Sequence, residues 1–177
     1  MKKAKKQTKR AISSPQSTQN KKEKLLWFLA KFFGIYFALT ILIELADLSF
    51  LTQAIAKIAG DALGMAVSGS IVQINGHTYT ISNSCTGLAS ASILAAVIFS
   101  LKKPELVKKV MLFIAGTLIL LLANIPRVML VLVAAKAGFD ANMVHTLTWF
   151  LMSAIILLIW YYGTKKMGKV KDFSELL

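Results

Sequence analysis

Long apolar stretches alternate with polar or basic segments along this chain. The apolar stretches cover about residues 25–48, 86–101, 110–137 and 143–162. A helix rises about 1.5 Å per residue, so stretches of this length approach or exceed what is needed to cross a hydrocarbon core of about 30 Å. The pattern predicts an all-α integral membrane protein, built as a four-span helical bundle.

The segment 49–67, between the first two stretches, has a different pattern. Apolar residues recur there at every third or fourth position: Leu51, Ile55, Ile58, Ala62 and Met65. The charged residues Lys57 and Asp61 lie between them. This spacing predicts an amphipathic helix lying on the membrane surface.

A β-hairpin is predicted immediately after this helix. Two short runs rich in β-branched residues, 70–74 and 77–81, flank Asn75–Gly76. Asn-Gly favours a type I′ turn, which needs positive φ at both central residues. The turn would pair Ile74 with His77 and Val72 with Tyr79. His77 is therefore interpreted as a cross-strand pair member, and a catalytic base is the less favoured alternative.

The apolar run 110–137 is longer than one crossing needs, and Asn124, Pro126 and Arg127 interrupt it. Two short spans would leave the last helix ending outside, with its basic tail on the wrong side of the membrane. We therefore expect one span, kinked near Pro126, followed by residues 128–137 as a tilted extension or interfacial helix.

Composition and charge agree with a membrane protein. Hydrophobic residues make up 56% of the chain and charged residues 16%, and the mean hydropathy is +0.63. The net charge of +13 is concentrated in blocks at 2–24, 102–109 and 165–171. Because these blocks flank apolar runs, they indicate topology rather than nucleic-acid binding. Both termini are predicted to be cytoplasmic in a multi-pass protein of the cell membrane.

These blocks also divide the chain. Residues 1–24 are predicted to be a disordered basic cytoplasmic tail, because they combine charge with Ser, Gln, Thr and Pro. Residues 25–164 form the membrane-embedded domain, in contact with lipids. Residues 165–177 form a second basic cytoplasmic tail.

The single cysteine, Cys85, lies where the polar turn Asn83–Gly87 becomes an apolar helix. One cysteine excludes an internal disulfide and the Cys clusters typical of zinc and redox sites, so no metal or cofactor is predicted. Unpaired N–H groups at a helix start favour a thiolate. The alternative is a small packing residue, but the position in a polar turn favours a nucleophile.

Two further residues are expected at the depth of Cys85. Counting about 1.5 Å per residue from Lys108, Arg127 lies roughly 28 Å up its helix, at the outer interface. His145 falls in the first turn of the last span. Each alone would suit a structural role, but three complementary side chains at one depth indicate a functional site.

These motifs resemble the exosortase/archaeosortase family of membrane transpeptidases. The match is carried by Ser84–Leu88, Asn124–Arg127 and then His145 at the start of a final span. The resemblance covers roughly residues 70–160. It implies cleavage of secreted proteins whose C-terminal sorting signal comprises a short motif, a transmembrane helix and a basic tail.

The resemblance also implies an extracytoplasmic active site in which Cys85, Arg127 and His145 are catalytic. Cys85 would form an acyl-thioester with His145 as base and then acid, while Arg127 would stabilise the oxyanion or thiolate. Asn124 would orient Arg127. An acceptor amine or water would complete the reaction. The alternative is a non-catalytic membrane transport or assembly subunit with a polar cavity, which would need no thiol.

Overall fold

A computed structural model describes residues 15–168 of the chain, with side chains from 22 to 166. The five helices in this part are α1 (Pro15–Leu45), α2 (Ser49–Leu63), α3 (Leu88–Ser100), α4 (Leu106–Lys136) and α5 (Ala141–Gly168). The three strands are β1 (Ala66–Ser68), β2 (Ile71–Ile74) and β3 (His77–Thr80), and a short 3-10 helix covers Asn83–Thr86. The protein is therefore mainly helical, with one small sheet.

Three helices within the described residues are long and apolar enough to cross a membrane: Lys22–Leu45, Leu106–Lys136 and Ala141–Lys166. The predicted second span is shorter than expected. Its helix, α3, has 13 residues, because the chain forms the 3-10 helix and Gly87 before α3 begins. At about 1.5 Å per residue, α3 is roughly 20 Å long.

Side-chain contacts show that α1, α3, α4 and α5 run alternately up and down. Near the start of α3, Asn83 Nδ2 donates to the carbonyl of Ile43 in the last turns of α1, at 3.2 Å. At the other end of α3, Lys109 Nζ donates to the carbonyl of Leu101. These contacts make α3 antiparallel to both α1 and α4.

Gly116 allows α3, α4 and α5 to pack closely. A Cβ at this position would lie 2.5 Å from Leu94 Cδ2 and 2.9 Å from Ile159 Cγ2, so a larger residue would displace these two side chains. The apolar core around it contains Leu94, Ile98, Leu112, Leu120, Met152 and Ile156. Every residue of α3 is buried or half-buried. The short helix is thus the centre of the bundle.

A second apolar core lies at one end of the bundle, in a region we call the cap. The cap consists of α2, the three strands and the last turns of α4. Its buried residues are Ile55, Ala56, Ala59, Val72, Ile74, Ile81, Val128, Leu132 and Ala135. Because α4 contributes to both cores, this helix joins the cap to the bundle.

The sheet confirms the predicted hairpin. Ile74 pairs with His77 and Val72 with Tyr79. Asn75 and Gly76 have φ of 51° and 80°, as a type I′ turn requires. The sequence did not predict β1, which pairs antiparallel with β2 to give the order β1-β2-β3.

The amphipathic helix is shorter than predicted and its buried face is displaced. α2 ends at Leu63, followed by Gly64 in the left-handed conformation. Its buried residues are Thr52, Ile55, Ala56, Ala59 and Gly60, whereas Ile58 and Ala62 are exposed. The exposed Lys57 and Asp61 form an ion pair at 3.0 Å. This helix packs its buried face against protein, within the cap.

α4 is a single helix of 31 residues that contains Pro126. The segment expected to be a separate extension, residues 128–137, continues α4 up to Lys136. It stays helical because Val128, Leu132 and Ala135 are buried in the cap core, and this packing compensates for the hydrogen bond that proline cannot donate.

The predicted tails overlap the terminal helices. α1 begins at Pro15, within the segment 1–24, and α5 continues to Gly168. Residues 1–14 and 169–177, where the rest of the two tails was predicted, lie outside the described residues.

Candidate functional site

Cys85 lies on the 3-10 helix Asn83–Thr86, three residues before α3, and its side chain is half-buried. Its N–H donates to the carbonyl of Ser82 at 2.9 Å, and its Sγ lies 3.8 Å from Ser82 Oγ. The first turn of α3 is partly satisfied by Thr86, whose Oγ1 accepts from the N–H of Leu88 at 3.3 Å. The cysteine therefore precedes the apolar helix, and is not part of its first turn.

Gly87 lets this turn approach α4. Its φ is 85°, a left-handed conformation that favours glycine. A Cβ here would lie 3.1 Å from the Cβ of Asn124. Backbone conformation and the close approach both therefore require glycine at this position.

Asn124 links the cysteine turn to the arginine and is fully buried. Its Nδ2 donates to the carbonyl of Cys85, and its Oδ1 accepts from Arg127 Nη1 at 3.1 Å. Both ends of the amide are used, so the side chain fixes the position of the Cys85 backbone relative to the guanidinium.

Arg127 is 5% exposed and is held from three sides. Besides Asn124, its Nε donates to Thr148 Oγ1 at 3.0 Å and its Nη2 lies 3.1 Å from His145 Nε2. The guanidinium also lies 5.2 Å from the centre of the Trp149 ring. Since a guanidinium has five N–H groups, two of them have no partner among the described residues and are available to a ligand.

The contact between Arg127 and His145 defines the protonation of the imidazole. A guanidinium carries no acceptor, so Nε2 of His145 must accept the hydrogen bond. His145 is then neutral, with its proton on Nδ1. The backbone of His145 is also anchored, because Thr148 Oγ1 donates to its carbonyl at 2.7 Å.

Cys85, Arg127 and His145 all line one cavity of about 560 Å³, within the roughly 300–1,000 Å³ common for ligand pockets. The cavity is also lined by residues of β3 with Ile81 and Ser82, and by the segment Phe139–Asn142. The cavity lies between the cap and the bundle. Among the described residues, no hydrogen bond joins the thiol to either Arg127 or His145, so the three side chains share the cavity without bonding to one another through the sulfur.

Two contacts at the site were not found from the sequence. Thr148 and Trp149 both contact Arg127, but Thr and Trp inside an apolar span are usually packing residues. The signal was spacing: Thr148 follows His145 by three residues, so both lie on one face of α5.

In contrast, His77 is exposed and does not line the cavity. Among residues 22–166, whose side chains the structure describes, no three or more His, Cys, Asp or Glu side chains lie close enough to hold a metal ion.

Comparison with known proteins agrees with this architecture. The family model described as transmembrane exosortase matches residues 20–161, which include the whole site. No curated protein and no solved structure matches the chain. Because the matched region extends over most of the sequence, this chain belongs to the transmembrane exosortase family.

Proposed function

We propose that this chain is a membrane-embedded cysteine protease or transpeptidase. Its substrates would be secreted proteins that end in a sorting motif, a transmembrane helix and a basic tail. The observation that carries the proposal is the cavity shared by Cys85, Arg127 and His145. A nucleophile, a cation with free N–H groups and a neutral imidazole around one space are the components that acyl transfer needs.

In the proposed reaction, Cys85 Sγ attacks the scissile carbonyl carbon and its proton passes to His145. The carbonyl oxygen becomes an oxyanion, which the free N–H groups of Arg127 stabilise. When the tetrahedral intermediate collapses, the C–N bond breaks and His145 protonates the leaving amine. An acceptor amine or water then attacks the acyl-thioester and regenerates the thiol.

Because of the hydrogen bond between Arg127 and His145, substrate must bind before the imidazole can act as a base. In the free protein the lone pair of His145 Nε2 is occupied by Arg127 Nη2, so this nitrogen cannot accept the thiol proton. Nε2 becomes available when Arg127 Nη2 moves off it toward a bound carbonyl, while Nε and Nη1 keep their bonds to Thr148 and Asn124. Substrate binding thereby prepares the base, as is common where catalytic hydrogen bonds form only in the complex.

We further propose four crossings, both termini in the cytoplasm and the site on the outer side. Three long helices and the antiparallel α3 support this topology. The basic residues Lys102, Lys108 and Lys109 lie at the end of the bundle opposite the cavity, as the positive-inside rule requires. Residues 25–164 would form the catalytic domain, flanked by two basic cytoplasmic segments.

The deciding experiment uses a reporter protein fused to the C-terminal sorting signal of a secreted protein from the same genome. Cys85→Ala should insert and fold normally but cleave no reporter, because it removes the nucleophile and only one sulfur atom of packing. His145→Ala should also block cleavage. Continued cleavage by Cys85→Ala at matched expression would eliminate the thiol mechanism and favour a non-catalytic membrane subunit or a different hydrolase.

A further inference from the structure

Strand β3 lies at one edge of the sheet, since the order is β1-β2-β3. An edge strand carries unpaired N–H and C=O groups along one side, and these groups can pair with another extended chain. Most soluble proteins cover or interrupt such edges. Here the edge borders the candidate cavity.

The hairpin register identifies which peptide groups are free. A two-residue turn makes Ile74 and His77 a hydrogen-bonded pair, and the bonding then alternates along the strands. His77 and Tyr79 therefore direct their peptide groups toward β2. The N–H of Ile81 continues this alternation by donating to Ser70 O at 2.8 Å. Thr78 and Thr80 direct their peptide groups outward, and neither has a backbone partner among the described residues.

The cavity follows this edge and not one face of the sheet. Successive side chains of a strand point to opposite faces. However, four consecutive residues, 78–81, line the cavity. Tyr79 and Ile81 pack with the cap core, whereas Thr78 and Thr80 are exposed. A space bordered by residues from both faces must run along the edge of the strand.

The strand also leads to the nucleophile. Asn75, in the hairpin turn, donates from Nδ2 to the carbonyl of Lys136 at the end of α4, at 3.0 Å. Cys85 is bonded instead to Asn124, twelve residues earlier in α4, which corresponds to about 18 Å along the helix. β3 therefore descends from the far end of α4 toward Cys85.

We propose that the β3 edge binds the peptide segment preceding the scissile bond as an additional, parallel strand, with the peptide groups of Thr78 and Thr80 as its partners. This inference rests on the proposed function. A substrate anchored by a C-terminal membrane helix runs from the aqueous side toward the membrane, which is the direction of β3. Backbone pairing would select an extended segment, with N–H groups required at alternate positions.

Proline variants of the enzyme test this pairing. Thr78→Pro removes an N–H that points away from β2 and leaves the hydrogen bonds to β2 intact. An edge strand tolerates proline at such a position. Reporter cleavage should fall roughly 5- to 10-fold, as expected for the loss of one net hydrogen bond. The control is Val67→Pro on β1, whose N–H also points away from β2 but on the opposite edge. Because Val67 packs against Gly60, the two variants are compared at equal amounts of folded protein. The control should cleave at nearly the normal rate.

A proline scan through the reporter segment before the cleaved bond tests the same pairing without altering the enzyme. Cleavage should be impaired at every second position. A wild-type rate for folded Thr78→Pro, or a scan without alternation, would overturn strand addition while leaving the thiol mechanism intact. Conversely, cleavage by Cys85→Ala would overturn the proposed function, and the scan would still report on the β3 edge.

Discussion

Arg127 Nη2 and His145 Nε2 lie 3.1 Å apart, and this contact connects the two helices that form one side of the cavity. The guanidinium can only donate hydrogen bonds, so the imidazole must accept this one and is therefore neutral. Neither residue is placed by its own helix alone. Asn124 and Thr148 complete the arrangement, one from α4 and one from α5.

Arg127→Lys should reduce reporter cleavage by about 10²- to 10³-fold, the usual cost of losing a donor to an oxyanion. Lysine keeps the positive charge but lacks the planar guanidinium, so it cannot donate to Asn124, Thr148 and His145 at the same time. Single-turnover cleavage at saturating reporter is the measurement. Cleavage at the normal rate would mean that Arg127 acts through its charge alone.

Thr148→Val should impair cleavage while the helix remains intact. Valine has a similar shape, but it leaves Arg127 Nε and the carbonyl of His145 without their hydroxyl partner. We expect a loss of about 10-fold in cleavage and about 1–3 kcal/mol in stability, because Arg127 Nε is buried. Thr148→Ser, which retains the hydroxyl, should restore most of the activity. Equal defects in the two variants would assign the effect to packing.

Gly87→Ala tests the close approach between the cysteine turn and α4. Gly87 and Gly138 have nearly equal φ, 85° and 86°, but a Cβ at Gly138 meets nothing within 4 Å. Gly138→Ala therefore measures the backbone strain alone. Gly87→Ala should lose more stability and more cleavage than this control, since its Cβ displaces Asn124. Matching losses in thermal unfolding and cleavage would show that the contact is unimportant.

The proposed topology is tested by labelling cysteines introduced into Cys85→Ala, which contains no other thiol. A membrane-impermeant maleimide should label Ser68→Cys, in the exposed cap, from outside intact cells. It should not label Lys166→Cys until the membrane is opened. Labelling of Lys166→Cys in sealed cells would refute a cytoplasmic C-terminus.

The sequence predicted the parts of the fold that depend on local patterns. Asn75–Gly76 determined the hairpin register, and the basic block at 102–109 separated the second apolar run from the third. The sequence also placed Cys85, Arg127 and His145, which are 18 to 60 positions apart, at one depth. Cys85 and His145 fell at the ends of apolar runs, and Arg127 was placed by counting residues from Lys108. Helix counting works for such residues since the rise per residue is constant.

The remaining features depend on contacts between distant segments. β1 has three residues, too few for an alternation to be recognised, and it exists because β2 offers an edge to pair with. Likewise, the buried face of α2 includes Thr52 and Gly60. A prediction based on regularly spaced apolar residues would miss both of them. Gly60 is buried where the cap leaves little space: a Cβ there would lie 2.1 Å from Val67 Cγ2.

The enclosure of α3 affects how the protein meets its bilayer. A helix of 13 residues in contact with lipid would be shorter than the hydrocarbon core and would thin the membrane around it. Since α1, α4 and α5 surround α3, acyl chains meet the long helices and the thickness mismatch is avoided. The turn that carries Cys85 lies about 18 Å before the end of α4 at Lys136, so it can sit below the end of that helix without exposing the short α3 to lipid.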